Sequence, residues 1–234
     1  MTHNAEAEES GALSGASSNA LPGWLGPVAR GLHGVSAQTL SPRMPVPPAT
    51  AVPAAVLMLF GEGEHGPDLL ITERAHTLRS HPGQLSFPGG RADQADGDLV
   101  TTALREAYEE VGLDRDGVVV IGDLPRLWIP PSNTAVTTVV GWWQVPSPVG
   151  VVDEAEVATV LRVPIAHLLE PQNRFTVRLS GGYAGPAFDV GDGLVLWGFT
   201  AGIVSRLFAH VGWEREWDRS RVRPRPTPPA TDGP

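Results

Sequence analysis

Glu106, Glu109 and Glu110 lie within the run Arg105-Glu106-Ala107-Tyr108-Glu109-Glu110-Val111-Gly112-Leu113. On a helix, positions i, i+3 and i+4 share one face, so these carboxylates stand one above another. Like charges in that arrangement repel, and an exposed, unpaired cluster does nothing for the helix. A divalent cation between them removes the repulsion, and hard carboxylate oxygens suit Mg²⁺ or Mn²⁺. Val100, Leu104, Ala107, Tyr108 and Val111 recur at core-facing intervals. The pattern predicts a helix over residues 99–111 that packs on one side and offers acid on the other. A solvated acidic face with Arg105 as its partner is the commoner fate of a Glu-rich helix, and the cluster alone does not decide between the two.

Several elements must position this helix. Pro88-Gly89-Gly90 precedes it, followed by a connector carrying Asp93, Asp96 and Asp98. A glycine pair can bring backbone close to a phosphate, although most such pairs serve only as turns. Gly112 is placed to stop the helix. Upstream, residues 56–60 and 69–72 are short apolar runs split by a glycine-rich segment and predict strand, loop, strand. Downstream, residues 118–121 and 135–145 are rich in branched side chains and predict strands. Strands are also expected over 175–179, 183–190 and 194–197, with a short helix or turn at 165–169 and a closing amphipathic helix at 198–211. Mixed strands with helices on two sides predict an α/β fold, an α/β/α sandwich around a mixed central sheet.

Taken together, Gly90, the acidic connector and Arg105-Glu106-x-x-Glu109-Glu110-x-Gly112-Leu113 resemble the box of the Nudix hydrolases, which cleave nucleoside diphosphates linked to a second group. The resemblance implies that Glu106, Glu109 and Glu110 ligate the metal and that Arg105 braces them by an ion pair. The general box has five residues between its glycine and a glutamate, then seven before Arg-Glu. Here five residues lead from Gly90 to Asp96 and eight more precede Arg105. Leu69-Leu70-Ile71-Thr72-Glu73-Arg74 and Leu78-Arg79-Ser80-His81-Pro82-Gly83-Gln84-Leu85-Ser86-Phe87-Pro88-Gly89-Gly90 are similar to the segment that marks the coenzyme A pyrophosphatase branch, where the longer spacing also occurs. Glu156-Val157, Val163-Pro164, Leu168-Leu169 and Trp197-Gly198-Phe199-Thr200-Ala201 resemble the same branch, so the likeness spans residues 52–210.

The activity so implied is hydrolysis of a diphosphate with Mg²⁺ or Mn²⁺ as cofactor, the ion neutralising phosphate charge and lowering the pKa of water. A carboxylate must then accept the proton of the attacking water. The family draws that base from the box or from a later loop, leaving Glu106 and Glu156 as candidates. For Glu156 a surface or salt-bridged role is at least as good a reading. Arg74 and Arg79 are candidates to hold the diphosphate or the 3′-phosphate of coenzyme A, with Gly89 and Gly90 at the phosphate turn. Ordinary ion pairing, as of Arg74 with Glu73, is the alternative. His81 is better read as a structural loop residue than as catalytic. Trp128 and the pair Trp142-Trp143 could stack an adenine, but adjacent strand residues face opposite ways, which favours core packing for at least one of the pair.

Composition narrows the class. The net charge of −9 argues against nucleic acid as a partner. No apolar run approaches the roughly 20 residues that span a bilayer, and the acidic, Ala/Ser-rich start lacks the features of a secretory signal. Zero cysteines exclude disulfides and thiol chemistry. The expected location is cytoplasmic, and homodimerisation is left open. Residues 1–50 are expected to be a largely flexible extension, apart from an amphipathic patch at residues 24–32 able to dock. Residues 51–213 are read as the Nudix domain and 214–234 as a disordered Pro/Arg-rich tail. Three functions compete. They are hydrolysis of coenzyme A or its derivatives to adenosine 3′,5′-bisphosphate and 4′-phosphopantetheine, the same chemistry on another nucleotide such as ADP-ribose, and a Nudix-like ligand sensor without catalysis. The intact Arg105, Glu106, Glu109 and Glu110 weigh against the last.

Overall fold

A computed structural model of the chain describes residues 21–41, 45–179, 182 and 184–226. Its helices are α1 (Gly26–Leu32), α2 (Ala37–Leu40), α3 (Leu99–Val111), α4 (Ile165–Leu169) and α5 (Gly198–His210). The first eight strands are β1 (Val52–Gly63), β2 (Gly66–Arg74), β3 (Leu85–Ser86), β4 (Gly89–Arg91), β5 (Val118–Asp123), β6 (Leu127–Ile129), β7 (Thr134–Trp143) and β8 (Val157–Pro164). They form one mixed sheet. Its centre is β1, parallel to β7 and antiparallel to β2 and β4. The remaining strands, β9 (Arg174–Arg178), β10 (Ala184–Gly191), β11 (Leu194–Leu196) and β12 (Val222–Pro224), form a second, four-stranded sheet.

Alternation along β1 builds a core on each side of the main sheet. Ala55, Leu57 and Leu59 pack with Ala103, Ala107 and Val111 of α3. Met58 and Phe60 face the other way, toward Ile203, Val204, Leu207 and Phe208 of α5. The result is the expected α/β/α sandwich. Trp142 and Trp143 divide between the two cores, each less than a tenth exposed, so neither is available to stack a base. Trp128 donates from Nε1 to Asn133 at 3.2 Å on a peripheral strand. Among the described residues no helix is long and apolar enough to cross a membrane.

Three expectations need correction. Residues 21–41 belong to the core: Leu25 and Val28 are fully buried, and Trp24 meets Trp142 edge to face at 5.7 Å. Glycine, serine and proline between these few apolar residues hide the packed face from a compositional reading. Beyond α5, the chain also stays on the fold as far as residue 226. Trp217 is buried, and β12 pairs in parallel with β9. Residues 1–20 and 227–234 of the expected flexible ends lie outside the described residues. Finally, Tyr108 is 61% exposed and not a core residue, since the helix surface turns to solvent there.

Residues 157–164, given no element from sequence, form β8. This strand lies at the edge of the sheet and pairs with β2 alone, so its burial alternation is weak.

Candidate active site

Capping fixes both ends of α3. Asp98 accepts the Thr101 N–H at 2.7 Å, a helix N-cap. Gly112, at φ 71°, closes the other end and donates to Ala107 and Tyr108. With the apolar side of α3 against β1, Glu106 and Glu110 are turned toward the strand that carries Gly89 and Gly90, while Glu109 remains exposed.

Gly89 is required by its close approach to β1, and Gly90 leaves room for the Glu106 side chain of α3. Gly89 sits at φ 151°, and a Cβ there would collide with the Ala55 carbonyl oxygen. Its N–H donates to Glu110 Oε2 at 3.2 Å. A Cβ on Gly90 would lie 2.5 Å from the carboxylate of Glu106.

Arg105 is saturated with acid. Its Nε and Nη2 donate to the two oxygens of Asp96, both at 2.9 Å. Nη1 donates to Glu109 at 2.8 Å, and Nη2 also lies 3.0 Å from Glu106 and donates to the Arg91 carbonyl at 3.1 Å. Asp96 accepts further bonds from the Thr102 hydroxyl and the Asp93 N–H, each at 2.9 Å. Hydrogen bonds from Arg105, then from Asp93, hold its carboxyl well below the usual range. The acid that departs from the general box is therefore the bidentate partner of Arg105.

Glu106 and Glu110 are only partly compensated, by Arg105 and Arg74 respectively. Burial pushes the Glu106 carboxyl up against the opposing pull of Arg105. Glu110 is 5% exposed; burial, reinforced by Glu106 and Glu156, pushes it up to about 8 despite the Gly89 N–H and the charge of Arg74. Glu156 stands exposed just before β8, where its carbonyl accepts the Ala75 N–H at 2.8 Å. Arg74 ends β2 and does not pair with Glu73, which meets His76 instead at 3.2 Å. Arg79 and His81 are exposed on the loop 75–84, and Arg79 forms no ion pair among the described residues. The structure thus groups Glu106, Glu110, Glu156 and Arg74 at one end of the sheet. It leaves Arg79 out in solvent.

As they stand, no three carboxylate or imidazole groups among the described residues converge on one cation position. Glu109 is paired with Arg105 instead. The donor set still suits a hard divalent ion, because burial pushes both the Glu106 and Glu110 carboxyls up, the charge of Glu156 adds to each, and Arg105 is committed to Asp96. This has a measurable consequence without metal. Between about pH 4.5 and 8 the folded protein retains the Glu110 proton that the unfolded chain releases, so stability should fall as pH rises through that window. A shift of this size corresponds to on the order of 5 kcal/mol. Chelator-treated protein should lose melting temperature across the window, whereas Glu110→Gln should give a flatter profile. Parallel profiles would remove Glu110 as the source.

The acidic helix α3 packs against the Gly89-Gly90 strand β4 of an α/β/α sandwich, and residues 50–176 match the family model described as NUDIX domain. The chain belongs to the Nudix family and is a Nudix hydrolase. It is 36% identical over 156 residues to a protein of Cronobacter sakazakii named uncharacterized Nudix hydrolase NudL, covering 62% of this chain and 76% of that one. The protein of the same name in an Enterobacter strain is 34% identical over 185 residues, covering 75% and 91%. Among solved structures, the Nudix hydrolase RenU from M. smegmatis is similar at a TM-score of 0.46 and 19% identity, covering 72% of this chain and 91% of that one.

Proposed function

We propose that this Nudix hydrolase cleaves the diphosphate of coenzyme A or its derivatives, releasing adenosine 3′,5′-bisphosphate and 4′-phosphopantetheine. One observation carries the choice of substrate: the segment resembling the coenzyme A branch is built into the site. Arg74 donates its N–H to the Gln84 carbonyl at 3.1 Å, and Gly83 donates to the Arg74 carbonyl at 3.0 Å. The same segment ends at Gly89, whose N–H holds Glu110.

In this reading Glu106, Glu109 and Glu110 hold Mg²⁺ or Mn²⁺. Bound there, the ion neutralises the diphosphate and acidifies water. Arg105 positions Glu106 and Glu109 through its ion pairs and is itself fixed by Asp96. Glu156 or Glu106 accepts the proton of the attacking water, and Glu156 has the better access because it is exposed. Arg74 faces the anionic substrate beside Glu110, and the exposed Arg79 supplies a second cation for the 3′-phosphate.

Mass spectrometry of products from coenzyme A, 3′-dephospho-coenzyme A and ADP-ribose, with Mg²⁺ or Mn²⁺ and with excess chelator, tests the proposal. Coenzyme A should be cleaved fastest, only with metal, and Arg79→Ala should lose roughly tenfold on coenzyme A while 3′-dephospho-coenzyme A changes little. Faster cleavage of ADP-ribose would overturn the substrate, and full turnover in chelator would overturn the metal.

A further inference from the structure

Opposite faces of the end of β2 carry different chemistry. Arg74 lies beside Glu110, whereas its neighbour Glu73 lines a cavity of about 330 Å³ between the two sheets. One wall is the loop residues His81 and Gln84; another is Leu194 and Val195 of β11 with Trp197. The third is Arg225, just past β12, with its guanidinium 5.3 Å from the Trp197 ring. The acidic cluster and this cavity thus share one edge of the main sheet, joined by the backbone bonds of Arg74 to Gly83 and Gln84.

Charge around the cavity selects the ligand. Glu73 and Asp192 oppose Arg225 and His81, which at neutral pH is a poor match for a doubly charged phosphate. What remains is an apolar wall of Leu194, Val195 and Trp197 with one side-chain amide, that of Gln84. Such a lining suits an uncharged chain that carries amides of its own, since apolar contact and a few placed hydrogen-bonding groups are what small-molecule sites combine. We infer that this cavity receives the amide-bearing pantetheine arm of the substrate, with Arg225 just past β12 completing its wall. The inference rests on the coenzyme A reading above and adds a second site to it.

Binding of the two product halves separates the ends of the substrate. In Mg²⁺ buffer, calorimetry with 4′-phosphopantetheine should register about a tenfold loss of affinity in Val195→Phe, which fills the cavity, and in Gln84→Leu, which removes the amide. Adenosine 3′,5′-bisphosphate should bind both variants within twofold of wild type. With coenzyme A, KM should rise about tenfold while kcat holds. Melting temperatures check that each variant folds, and two variants guard against a misfolded one. Equal losses for both halves, or none for 4′-phosphopantetheine, overturn the inference. A tenfold loss of adenosine 3′,5′-bisphosphate in Arg225→Ala also overturns it, by assigning the cavity to the phosphate end. Absence of coenzyme A cleavage by the wild type would instead strike the proposed activity, a result read before any variant is made.

Discussion

Glu110→Gln should lower kcat by two to three orders of magnitude or more while leaving the protein folded. The carboxylate is 5% exposed and held by the Gly89 N–H at 3.2 Å, and glutamine keeps its size and the acceptor for that bond. What disappears is the negative charge. Removing one preorganised electrostatic group from an active site typically costs about 10²–10³ in turnover, and a lost metal ligand belongs in that class. The fold should gain, because the buried acid has little compensating charge without metal. The signature is therefore a split: slower turnover with Mg²⁺, and a higher melting temperature than wild type in chelator at pH 8. Glu109→Gln should show the first effect without the second, since Glu109 is exposed and rests on Arg105. Near wild-type turnover in Glu110→Gln would mean that it is no ligand, whatever its pKa.

How much of this site can be read from sequence depends on how local each cause is. The helix over 99–111 is legible because Gly112 and the apolar repeat act within a turn or two of where they stand, while the Asp98 cap at its start emerges from the structure. Gly89 and Gly90 read as a turn, but the fold places them in strand β4 beside β1, where their missing side chains make room for the Ala55 carbonyl and the Glu106 carboxylate. Asp96 stands out as a departure in spacing and residue type. Its hold on Arg105 spans nine residues through side chains and has no periodic signal. Composition fails where long-range partners override it. Around the amphipathic patch at 24–32, whose Leu25 and Val28 are indeed buried, the segment reads as flexible because its apolar side chains are sparse, yet Leu40 is buried as well. Arg223 and Arg225 read as part of a solvated tail, yet their guanidiniums lie on the rings of Phe175 and Trp197, far away in sequence.

That C-terminal segment yields the largest expected loss of stability. Arg174 at the start of β9 is completely buried. Nη1 donates to Glu214 and Nη2 to the Ser205 hydroxyl, at 2.8 and 2.7 Å, and the guanidinium lies 4.9 Å from the Phe188 ring and 4.5 Å from that of Trp217. Burial draws its pKa down while Glu214 pulls it back up. Trp217 Nε1 donates to the same Glu214 oxygen at 3.1 Å, and the Thr176 N–H and hydroxyl donate to the carbonyls of Arg221 and Arg219, both at 2.8 Å. One buried cation thus fastens residues 214–221 to the second sheet. Breaking a buried ion pair from one side typically costs about 3–5 kcal/mol, because the partner is left uncompensated. Arg174→Ala adds a cavity to that loss and should lower the melting temperature by roughly 5–10 °C or more for a chain of this size. Glu214→Gln keeps an acceptor for both Arg174 and Trp217 and should lose less. Deleting residues 214–234 should cost at least as much as Arg174→Ala, since it exposes Trp217's site and strips Arg174 of its only carboxylate among the described residues. Thermal melts of the three proteins, with turnover measured well below the lowest transition, decide the matter. If the truncated chain melts with wild type, the segment is not fastened by Arg174, and β12 contributes nothing to the fold that holds the site.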